Sequence, residues 1–356
     1  MMLLYISGTY YPAAGGAEIS MHTFLKRAVE AGYDTLVATN LEKTNCLKKY
    51  IEYDGVSIIG VNHETRKEEL SKIIDQYQPD WIITQLMWSD VALQIANTKG
   101  IKSILRFCKI PSLLDISESS EFSPTKILAV SDYVKDYIEA KWDRQSILIP
   151  PPIELDKIVS KKATRRMYIT MFNPNIKKGG SVFKDIASRM PNHLFAVVSG
   201  WDILKKGNTI DPEIVKRLCE SLRIQYSGQN LDDISFGELQ NVRKFPFTEN
   251  VSEIYARSRI VCIPSQWQEA FGRVSIEAMA NSIPVLGSNV GGLSDIVQSG
   301  GILIRDFMNP VAWVEELKKL DNAEEYNVVA AKGKQYIEDS YDCNTICNNL
   351  FEVFEE

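Results

Sequence analysis

Residues 264–293, which read PSQWQEAFGRVSIEAMANSIPVLGSNVGGL, constrain the fold more than any other stretch of the chain. The apolar run 260–263 before them has the composition of a buried parallel strand. Pro264 ends that strand because proline has no N–H to donate to a sheet ladder. A loop must follow, and residues 273–280 are apolar on most faces, which predicts a helix packed inside a larger domain.

The same stretch then predicts a second strand and a second loop. Residues 283–286 form another short apolar run, and a glycine-bearing loop leads to a helix that we expect to begin near Ser294. Asn281 between the two elements is expected to end the first helix in a left-handed conformation. Both loops open onto helix N-termini, where unpaired N–H groups and the helix dipole favour an anion such as phosphate.

Two glutamates flank this predicted anion site. Glu269 lies in the first loop and Glu277 about two turns into the helix, so that both side chains can face one crevice at different depths. A carboxylate accepts two hydrogen bonds and suits a vicinal diol, so this arrangement fits a sugar at each end of a diphosphate, as in a nucleotide-sugar. The alternative is that both are solvated charges around a core helix.

The order of residues in this stretch also resembles a known signature. The run EAFGRVSIEAMA at 269–280, followed by Ile-Pro-Val and by Gly-Gly-Leu at 291–293, is similar to the glutamate-x7-glutamate motif of the family 4 retaining glycosyltransferases. The resemblance extends over nearly the whole chain. It implies a GT-B fold, in which two doubly wound Rossmann-like α/β domains face a central cleft.

The N-terminus begins as a βαβ unit with a glycine loop. Gly15 and Gly16 follow a first strand and precede a helix, although the G-x-G-x-x-G dinucleotide fingerprint is absent. The pair can be an ordinary turn. It also matches the proline-then-Gly-Gly-x-Glu loop of the resembled family, which implies contact with phosphate from the N-terminal domain.

A second cationic loop follows the strand predicted at 167–172. Lys177, Lys178 and two glycines stand before the helix predicted at 182–190, where a lysine can reach a diphosphate as a point charge. A solvated lysine pair is the alternative. Lys178-Gly179 resembles the family's Lys-Gly motif, whose lysine binds the β-phosphate. The arginine that the family carries about six residues earlier is replaced here by Phe172 or Asn173, and Lys177 or Arg273 can substitute for it.

The domain boundary is predicted at the three prolines 150–152, which enforce a stiff extended spacer. We expect an N-terminal acceptor-side domain at 1–155 and a C-terminal nucleotide-sugar domain at 156–337. The helix at about 338–356 is expected to pack back on the first domain. The charged stretch through Arg166 is interpreted as a solvated linker, with contact to an anionic membrane surface as the alternative.

Composition excludes several classes of protein. The chain has 356 residues, 45% hydrophobic and 24% charged, which is ordinary for folded α/β domains. A net charge of −6 argues against broad nucleic-acid binding, and six scattered cysteines with three histidines indicate neither a disulfide framework nor a zinc site. No Asp-x-Asp motif is present, so no metal or other cofactor is expected. We expect a cytoplasmic location, with the inner face of the membrane as a further option.

The acceptor side of the predicted cleft has fewer candidate functional residues than the donor side. Where the family often has a histidine after the strand at 101–107, this chain has Cys108, and Arg106 and Lys109 are the candidates for positive charge at the cleft floor. The polar stretch 108–122 is interpreted as either an acceptor loop or a surface loop. The charged insertion 201–233, with a helix near 212–222, either shapes the nucleotide pocket or covers the sheet.

The resemblance implies transfer of a hexose, most often from a UDP-sugar, to a hydroxyl of a saccharide or lipid-linked saccharide. Glu269 and Lys178 are the implied catalytic residues. The implied donor-binding set is Gly15, Gly16, Asn173, Lys177, Lys178, Phe247, Glu269, Ala270, Phe271, Gly272, Arg273, Val274 and Glu277. The alternatives are a non-catalytic nucleotide-sugar-binding subunit, a sugar-nucleotide epimerase and a polymerase on the same fold.

Overall fold

The computed structural model describes residues 1–11, 15–40, 50–109, 123–161, 165–200 and 234–355. The chain forms two compact units, of which unit 1 comprises Met1–Glu154 with Tyr341–Glu356 and unit 2 comprises Leu155–Ser340. The predictions for the insertion 201–233 and for most of the 108–122 loop fall outside the described residues.

Unit 1 contains an eight-stranded sheet with the order β3-β4-β2-β1-β5-β6-β7-β8. The neighbours are parallel except for β3 and β4, which are antiparallel. Its elements are β1 Met2–Ser7, α1 Gly16–Glu30, β2 Asp34–Asn40, β3 Tyr50–Tyr53, β4 Val56–Val61, α2 Arg66–Tyr77, β5 Trp81–Thr84, α3 Ser89–Lys99, β6 Lys102–Phe107, β7 Lys126–Ala129, α4 Asp132–Trp142 and β8 Ile147–Leu148.

Unit 2 contains a six-stranded parallel sheet with the order β11-β10-β9-β12-β13-β14. Its elements are α5 Leu155–Ile158, β9 Tyr168–Phe172, α6 Gly180–Arg189, β10 Leu194–Val198, β11 Val242–Phe245, α7 Val251–Tyr255, β12 Ser258–Ile263, α8 Arg273–Ala280, β13 Val285–Ser288, α9 Gly291–Gly300, β14 Ile302–Ile304, α10 Pro310–Lys319 and α11 Ala323–Ser340. The last helix, α12 Cys343–Glu355, belongs to unit 1.

Strand β1 shows why both faces of the unit 1 sheet are covered. Leu3 and Tyr5 pack into one apolar cluster with α1 and α12, whereas Leu4 and Ile6 pack into another with α2 and α3. Successive side chains of a strand point to opposite faces, so a continuous apolar run requires helices on both sides. The core of unit 2 is built around Phe183, Phe195 and Trp313, all fully buried.

The structure corrects several predicted element boundaries. Asn281 is not left-handed (φ −83°); the left-handed residue that follows α8 is Ser282, with φ +53°. Helix α9 begins at Gly291, three residues before Ser294. The helix predicted at about 338–356 begins at Cys343 and ends at Glu355. Strands β3 and β8 are too short to be found from periodicity.

Arg166 is not a freely solvated linker residue as predicted. Its two terminal nitrogens donate to the backbone carbonyls of Asn281 and Ser282, at 2.7 and 2.9 Å. These carbonyls lie at the end of α8, where the helix leaves carbonyls without intrahelical partners and favours a cation. Arg166 therefore ties the start of unit 2 to the end of this helix.

Candidate functional site

The candidate site lies where the strand order of unit 2 changes direction. From β9 the chain passes outward to β10 and β11 on one side, whereas β12, β13 and β14 extend the sheet on the other. The loops after the adjacent strands β9 and β12 therefore leave the sheet at the same edge. Ligands of open parallel sheets bind in the crevice at such a switch point.

The loop after β9 is held in place by its own asparagines. Asn173 ends the strand with φ +54°, and its side-chain oxygen accepts a hydrogen bond from Asn175 Nδ2 at 2.9 Å. Asn175 Oδ1 in turn accepts from the backbone N–H of Lys178 at 2.9 Å. The loop then enters α6 at Gly179 (φ +80°), so Lys178 is fixed immediately before a helix N-terminus.

Lys178 and Glu269 form an ion pair that joins the two loops. Lys178 Nζ lies 2.6 Å from Glu269 Oε1, which also accepts a hydrogen bond from Ser265 Oγ at 2.7 Å. The lysine side chain is 35% exposed and the glutamate side chain 12%. The two residues predicted to be catalytic are thus brought together, with the cation on the more open side.

Glu277 is buried within a second polar cluster. It is the fifth residue of α8, little more than one turn from the start of the helix rather than the predicted two. Its Oε2 accepts from Tyr255 Oη at 2.8 Å and its Oε1 from Arg273 Nε at 2.5 Å. Burial and the charge of Glu277 raise the pKa of Tyr255, so the phenol stays protonated and donates.

Arg273 has a hydrogen-bond donor left over. Its Nη1 is buried and has no hydrogen-bond partner among the described residues. A buried donor without an acceptor is unfavourable by ~1–3 kcal/mol. Because Glu277 holds the other edge of the guanidinium, Nη1 is a fixed donor at the first residue of α8, suited to an anionic ligand.

Two glycines allow the loops of the site to approach closely. Gly272 precedes α8 with φ +101°, a conformation that glycine adopts without a Cβ penalty. Gly291 (φ +52°) lies so close to Glu269 that a Cβ would meet the Glu269 carbonyl oxygen at 2.3 Å. The N–H of Gly292 donates to that same carbonyl at 2.8 Å. The loop after β13 therefore supports the backbone of Glu269.

The other donor-binding candidates of unit 2 differ in accessibility. Lys177 Nζ lies 4.8 Å from the ring centroid of Trp267, a cation–π contact. Phe271 is buried, and Ala270 and Val274 are partly exposed beside it at the start of α8. Phe247 is 40% exposed, after the end of β11. All of these residues except Phe247 lie on the two loops of the switch point or at the start of α8.

Gly15 and Gly16 belong to unit 1, at the start of α1. The carboxylate of Glu18 folds back over this turn, so that a Cβ added to Gly15 would lie 2.1 Å from Glu18 Oε2. Thr9 Oγ1 donates to Glu18 Oε1 at 2.8 Å, and Glu18 is buried. The negative charge that favours a helix N-terminus is thus already supplied by the chain itself at this point.

The structure corrects the expectation that Arg106 supplies charge at an open cleft floor. Arg106 is only 3% exposed, and its Nη1 donates to Gln85 Oε1 at 2.8 Å. Burial lowers the pKa of this guanidinium and raises the pKa of the neighbouring Cys108 thiol to about 11. Cys108 therefore stays protonated near neutral pH, and Lys109 is the exposed cation after β6.

The histidines have structural contacts. His22 is buried, stacks on Tyr11 with ring centroids 4.4 Å apart, and lies 2.8 Å from Tyr10 Oη through Nδ1. His63 accepts from Trp88 Nε1 at 3.1 Å, and His193 contacts Asp321 at 3.0 Å. Among the described residues, no three metal-ligating side chains cluster. None of the helices described here is long and apolar enough to cross a membrane.

Three residues of the site were missed by sequence reasoning: Asn175, Ser265 and Tyr255. Asn175 is visible as an asparagine within a turn sequence, which often bonds its own backbone. Ser265 follows the strand-ending proline and has no distinguishing pattern. Tyr255 comes from α7, and its meeting with Glu277 follows from packing that no local pattern encodes.

Comparison with known proteins shows similarity to glycosyltransferases. Residues 235–336 match the family model of glycosyl transferases group 1. The chain is 22% identical to an uncharacterized glycosyltransferase, MJ1178, of Methanocaldococcus jannaschii, over 100% of this chain and 99% of that protein. It is 29% identical to spore coat protein SA of Bacillus subtilis over 116 residues, which is 32% of this chain and only 31% of that protein.

A solved structure matches the whole chain. The structure of Anabaena HepE in complex with UDP-glucose superposes with a TM-score of 0.75 and 15% identity, and the match covers 100% of this chain and 99% of that one. The two mostly parallel α/β sheets and this match confirm the predicted GT-B class, with two Rossmann-like domains. Residues 235–336 are thus similar to the group 1 glycosyl transferases, and the chain as a whole is similar to an uncharacterized glycosyltransferase.

Proposed function

We propose that the protein transfers a hexose from a nucleoside-diphosphate sugar, preferentially a UDP-hexose, to a hydroxyl of a saccharide or lipid-linked saccharide. The observation that carries this proposal is the meeting of Lys178 and Glu269 at the switch point of the unit 2 sheet. A cation and a carboxylate there match the two chemical halves of the donor, its diphosphate and its sugar. That HepE was solved with UDP-glucose supports the choice of donor.

The ion pair implies an exchange of partners when the donor binds. In the free protein Lys178 is neutralised by Glu269. A diphosphate that approaches the N-terminus of α6 offers the lysine a more highly charged partner. Once Lys178 turns to the phosphate, Glu269 keeps the hydrogen bond from Ser265 and gains a free lone pair for a sugar hydroxyl. Lys178 then stabilises the charge that develops on the leaving diphosphate.

The remaining candidates complete the donor site in this proposal. Arg273, whose Nη1 has no hydrogen-bond partner in the described part of the chain, takes the place of the arginine that Phe172 or Asn173 replaces, and Lys177 adds further positive charge. Glu277 binds the ribose diol, residues 270–274 supply backbone N–H groups, and Phe247 lies beside the base. Retention of the anomeric configuration rests on the family resemblance alone.

Binding and transfer are tested separately. A thermal-shift panel of nucleoside diphosphates and their sugars identifies the donor, because a ligand that binds only the native state raises the melting temperature. A radiolabelled donor of the best-binding type is then offered to saccharide and lipid-linked saccharide acceptors. A labelled oligosaccharide supports transfer, a long labelled polymer indicates a polymerase, and a changed free nucleotide-sugar indicates an epimerase. Donor binding without turnover on any acceptor would leave a binding subunit.

Glu277→Gln is expected to weaken nucleoside-diphosphate binding by about tenfold, because a hydrogen bond to a charged group contributes ~1.5–3 kcal/mol. The loss of affinity has two sources, a weaker hydrogen bond to the ribose diol and a weaker hydrogen bond from Arg273 Nε to residue 277. Titration calorimetry measures the dissociation constant. Tyr255→Phe is the matched control, since it removes only the hydroxyl that donates to Glu277 Oε2. Wild-type affinity in Glu277→Gln would remove this residue from the nucleotide site.

Chelation of divalent cations by EDTA is expected to leave the transfer rate unchanged. Lys178, Arg273 and the N-termini of α6 and α8 supply positive charge to the diphosphate in the proposed site, so a bridging cation is not needed. Initial rates are compared before and after dialysis against EDTA. A rate that falls and is restored by magnesium would contradict the metal-independent mechanism.

A further inference from the structure

Ser265, the second residue after β12, is fully buried and reaches the candidate site only through its hydroxyl. The Oγ donates to Glu269 Oε1 at 2.7 Å and lies 3.4 Å from the carbonyl oxygen of Trp267. A hydroxyl has one proton to donate, and the shorter contact with a charged oxygen is the stronger of the two. Ser265 therefore acts on the site through Glu269 and has no surface of its own for a ligand.

Main-chain contacts fix the position of this hydroxyl on both sides of Ser265. The carbonyl oxygen of Pro264 packs against Gly179, where a Cβ would lie only 1.8 Å away from it. The N–H of Gln266 donates to the carbonyl oxygen of Lys177 at 2.8 Å. Neither contact uses a lysine side chain, so both persist when the ammonium groups of the loop after β9 turn to a ligand. The serine hydroxyl is therefore a fixed donor.

The carboxylate of Glu269 is held at one oxygen only. Lys178 Nζ and Ser265 Oγ both lie within 2.7 Å of Oε1, whereas the described part of the chain places no hydrogen-bond donor on Oε2. The lysine side chain is long and partly exposed, and in the proposed function it turns to the diphosphate when the donor binds. The serine side chain has a single torsion angle about carbon and stays in place. Of the two groups, Ser265 is the one that then still orients the carboxylate.

We propose that Ser265 is a positioning residue for the sugar half of the donor. Its hydroxyl holds Oε1 after Lys178 has turned to the diphosphate, so that Glu269 presents Oε2 to a sugar hydroxyl in one orientation. A glutamate held in this way loses less side-chain freedom on binding than a free one, which favours affinity. The inference rests on the proposed function, in which Glu269 binds the sugar and Lys178 binds the diphosphate.

A purely structural role for Ser265 leads to a different expectation. If its hydroxyl only closes the loop through the Trp267 carbonyl, removing it disturbs the whole loop and affects UDP and UDP-glucose alike. A positioning role is specific to the sugar, because UDP has no group that meets Glu269 in the proposed site. The ratio of the two affinities therefore separates the two roles.

The test compares UDP and UDP-glucose by titration calorimetry on the wild-type chain and on Ser265→Ala. The variant is expected to bind UDP as tightly as the wild type and UDP-glucose about tenfold more weakly, a change of ~1.4 kcal/mol. An equal loss of affinity for the two ligands would show a structural role. Unchanged affinity for UDP-glucose would show that Glu269 needs no support from the serine. Either of these two results overturns the proposal.

Two further variants keep the comparison specific. Ser258→Ala removes another buried hydroxyl, at the opposite end of β12, where its Oγ donates to the Ile254 carbonyl at 2.9 Å. Both affinities of this control should equal those of the wild type. Ser265→Thr keeps the hydroxyl and is expected to restore most of the affinity for UDP-glucose. A threonine variant that binds UDP normally but UDP-glucose as weakly as Ser265→Ala would contradict a role for the hydroxyl.

The proposed function and this inference fail in different ways. A wild-type chain that binds neither UDP nor UDP-glucose contradicts the proposed donor, and the inference fails with it. A wild-type chain that binds both, together with a Ser265→Ala variant that behaves identically, contradicts only the role of Ser265.

Discussion

Replacement of Lys178 by alanine is expected to lower kcat by about 10²-fold or more, because removal of one donor that stabilises transition-state charge has an effect of this size. Lys178 is held by Asn175 at the N-terminus of α6, and its Nζ already lies among the polar groups of the switch point. Steady-state rates at saturating donor give kcat, and their donor dependence gives KM. The decrease is expected mainly in kcat, since the charge on the leaving diphosphate is greatest in the transition state.

Two further variants show whether the charge itself is responsible. Lys184→Ala removes a lysine from the same helix α6 without altering the loop, and its kcat should equal that of the wild type. Lys178→Arg keeps the charge but changes its shape, so a partial recovery is expected. If Lys178→Ala turns over donor at the wild-type rate, the proposed stabilisation of the leaving group is wrong.

Gly179→Ala is expected to lower the free energy of unfolding of unit 2 by about 3 kcal/mol or more. Losses of stability of this size arise from core clashes and strained backbone. A Cβ at this position would lie 1.8 Å from the carbonyl oxygen of Pro264. The φ angle of +80° adds the strain of a left-handed residue with a side chain. Since Pro264 ends β12, the variant also pushes the Lys178 loop away from the loop that carries Glu269.

Gly32→Ala separates these two causes. Gly32 has a similar φ of +88°, but a Cβ there would meet no atom within 4 Å. Gly32→Ala should therefore lower the free energy of unfolding only by the strain of the left-handed backbone, about 1–2 kcal/mol. Urea unfolding of each variant, followed on the transition of its own unit, gives the two values. Equal losses of unfolding free energy for Gly179→Ala and Gly32→Ala would mean that the Lys178 loop does not pack closely against Pro264.

The family resemblance predicted the fold class, and local patterns predicted the loops of the candidate site. Apolar runs marked the strands β9 and β12, and the residues after them could be assigned to one edge because parallel strands end together. Ser131 has the residue type of a helix N-cap, and its Oγ accepts from the N–H of Val134 at 3.2 Å at the start of α4. These features depend on neighbours in sequence, which a single chain reveals directly.

Contacts between distant residues could not be predicted in the same way. The partner of Glu277, Tyr255, is 22 residues away, and the partner of Glu269, Lys178, is 91 residues away. Arg106 resembled an exposed cation in sequence, but it is buried in the structure, where it donates hydrogen bonds to Gln85 and to Ser20 of α1. Burial of this kind is decided by tertiary packing, and the edge strand β3 was missed for the same reason.

The return of α12 to unit 1 has a consequence for biosynthesis. Phe354 lies against Trp81 and Phe24, with ring centroids 5.6 and 6.1 Å apart, yet it leaves the ribosome after all of unit 2. Unit 2 is continuous in sequence and can fold as soon as it emerges. Unit 1 must wait with an apolar face uncovered until α12 has been synthesised, a state in which nascent chains are prone to aggregate and depend on chaperones.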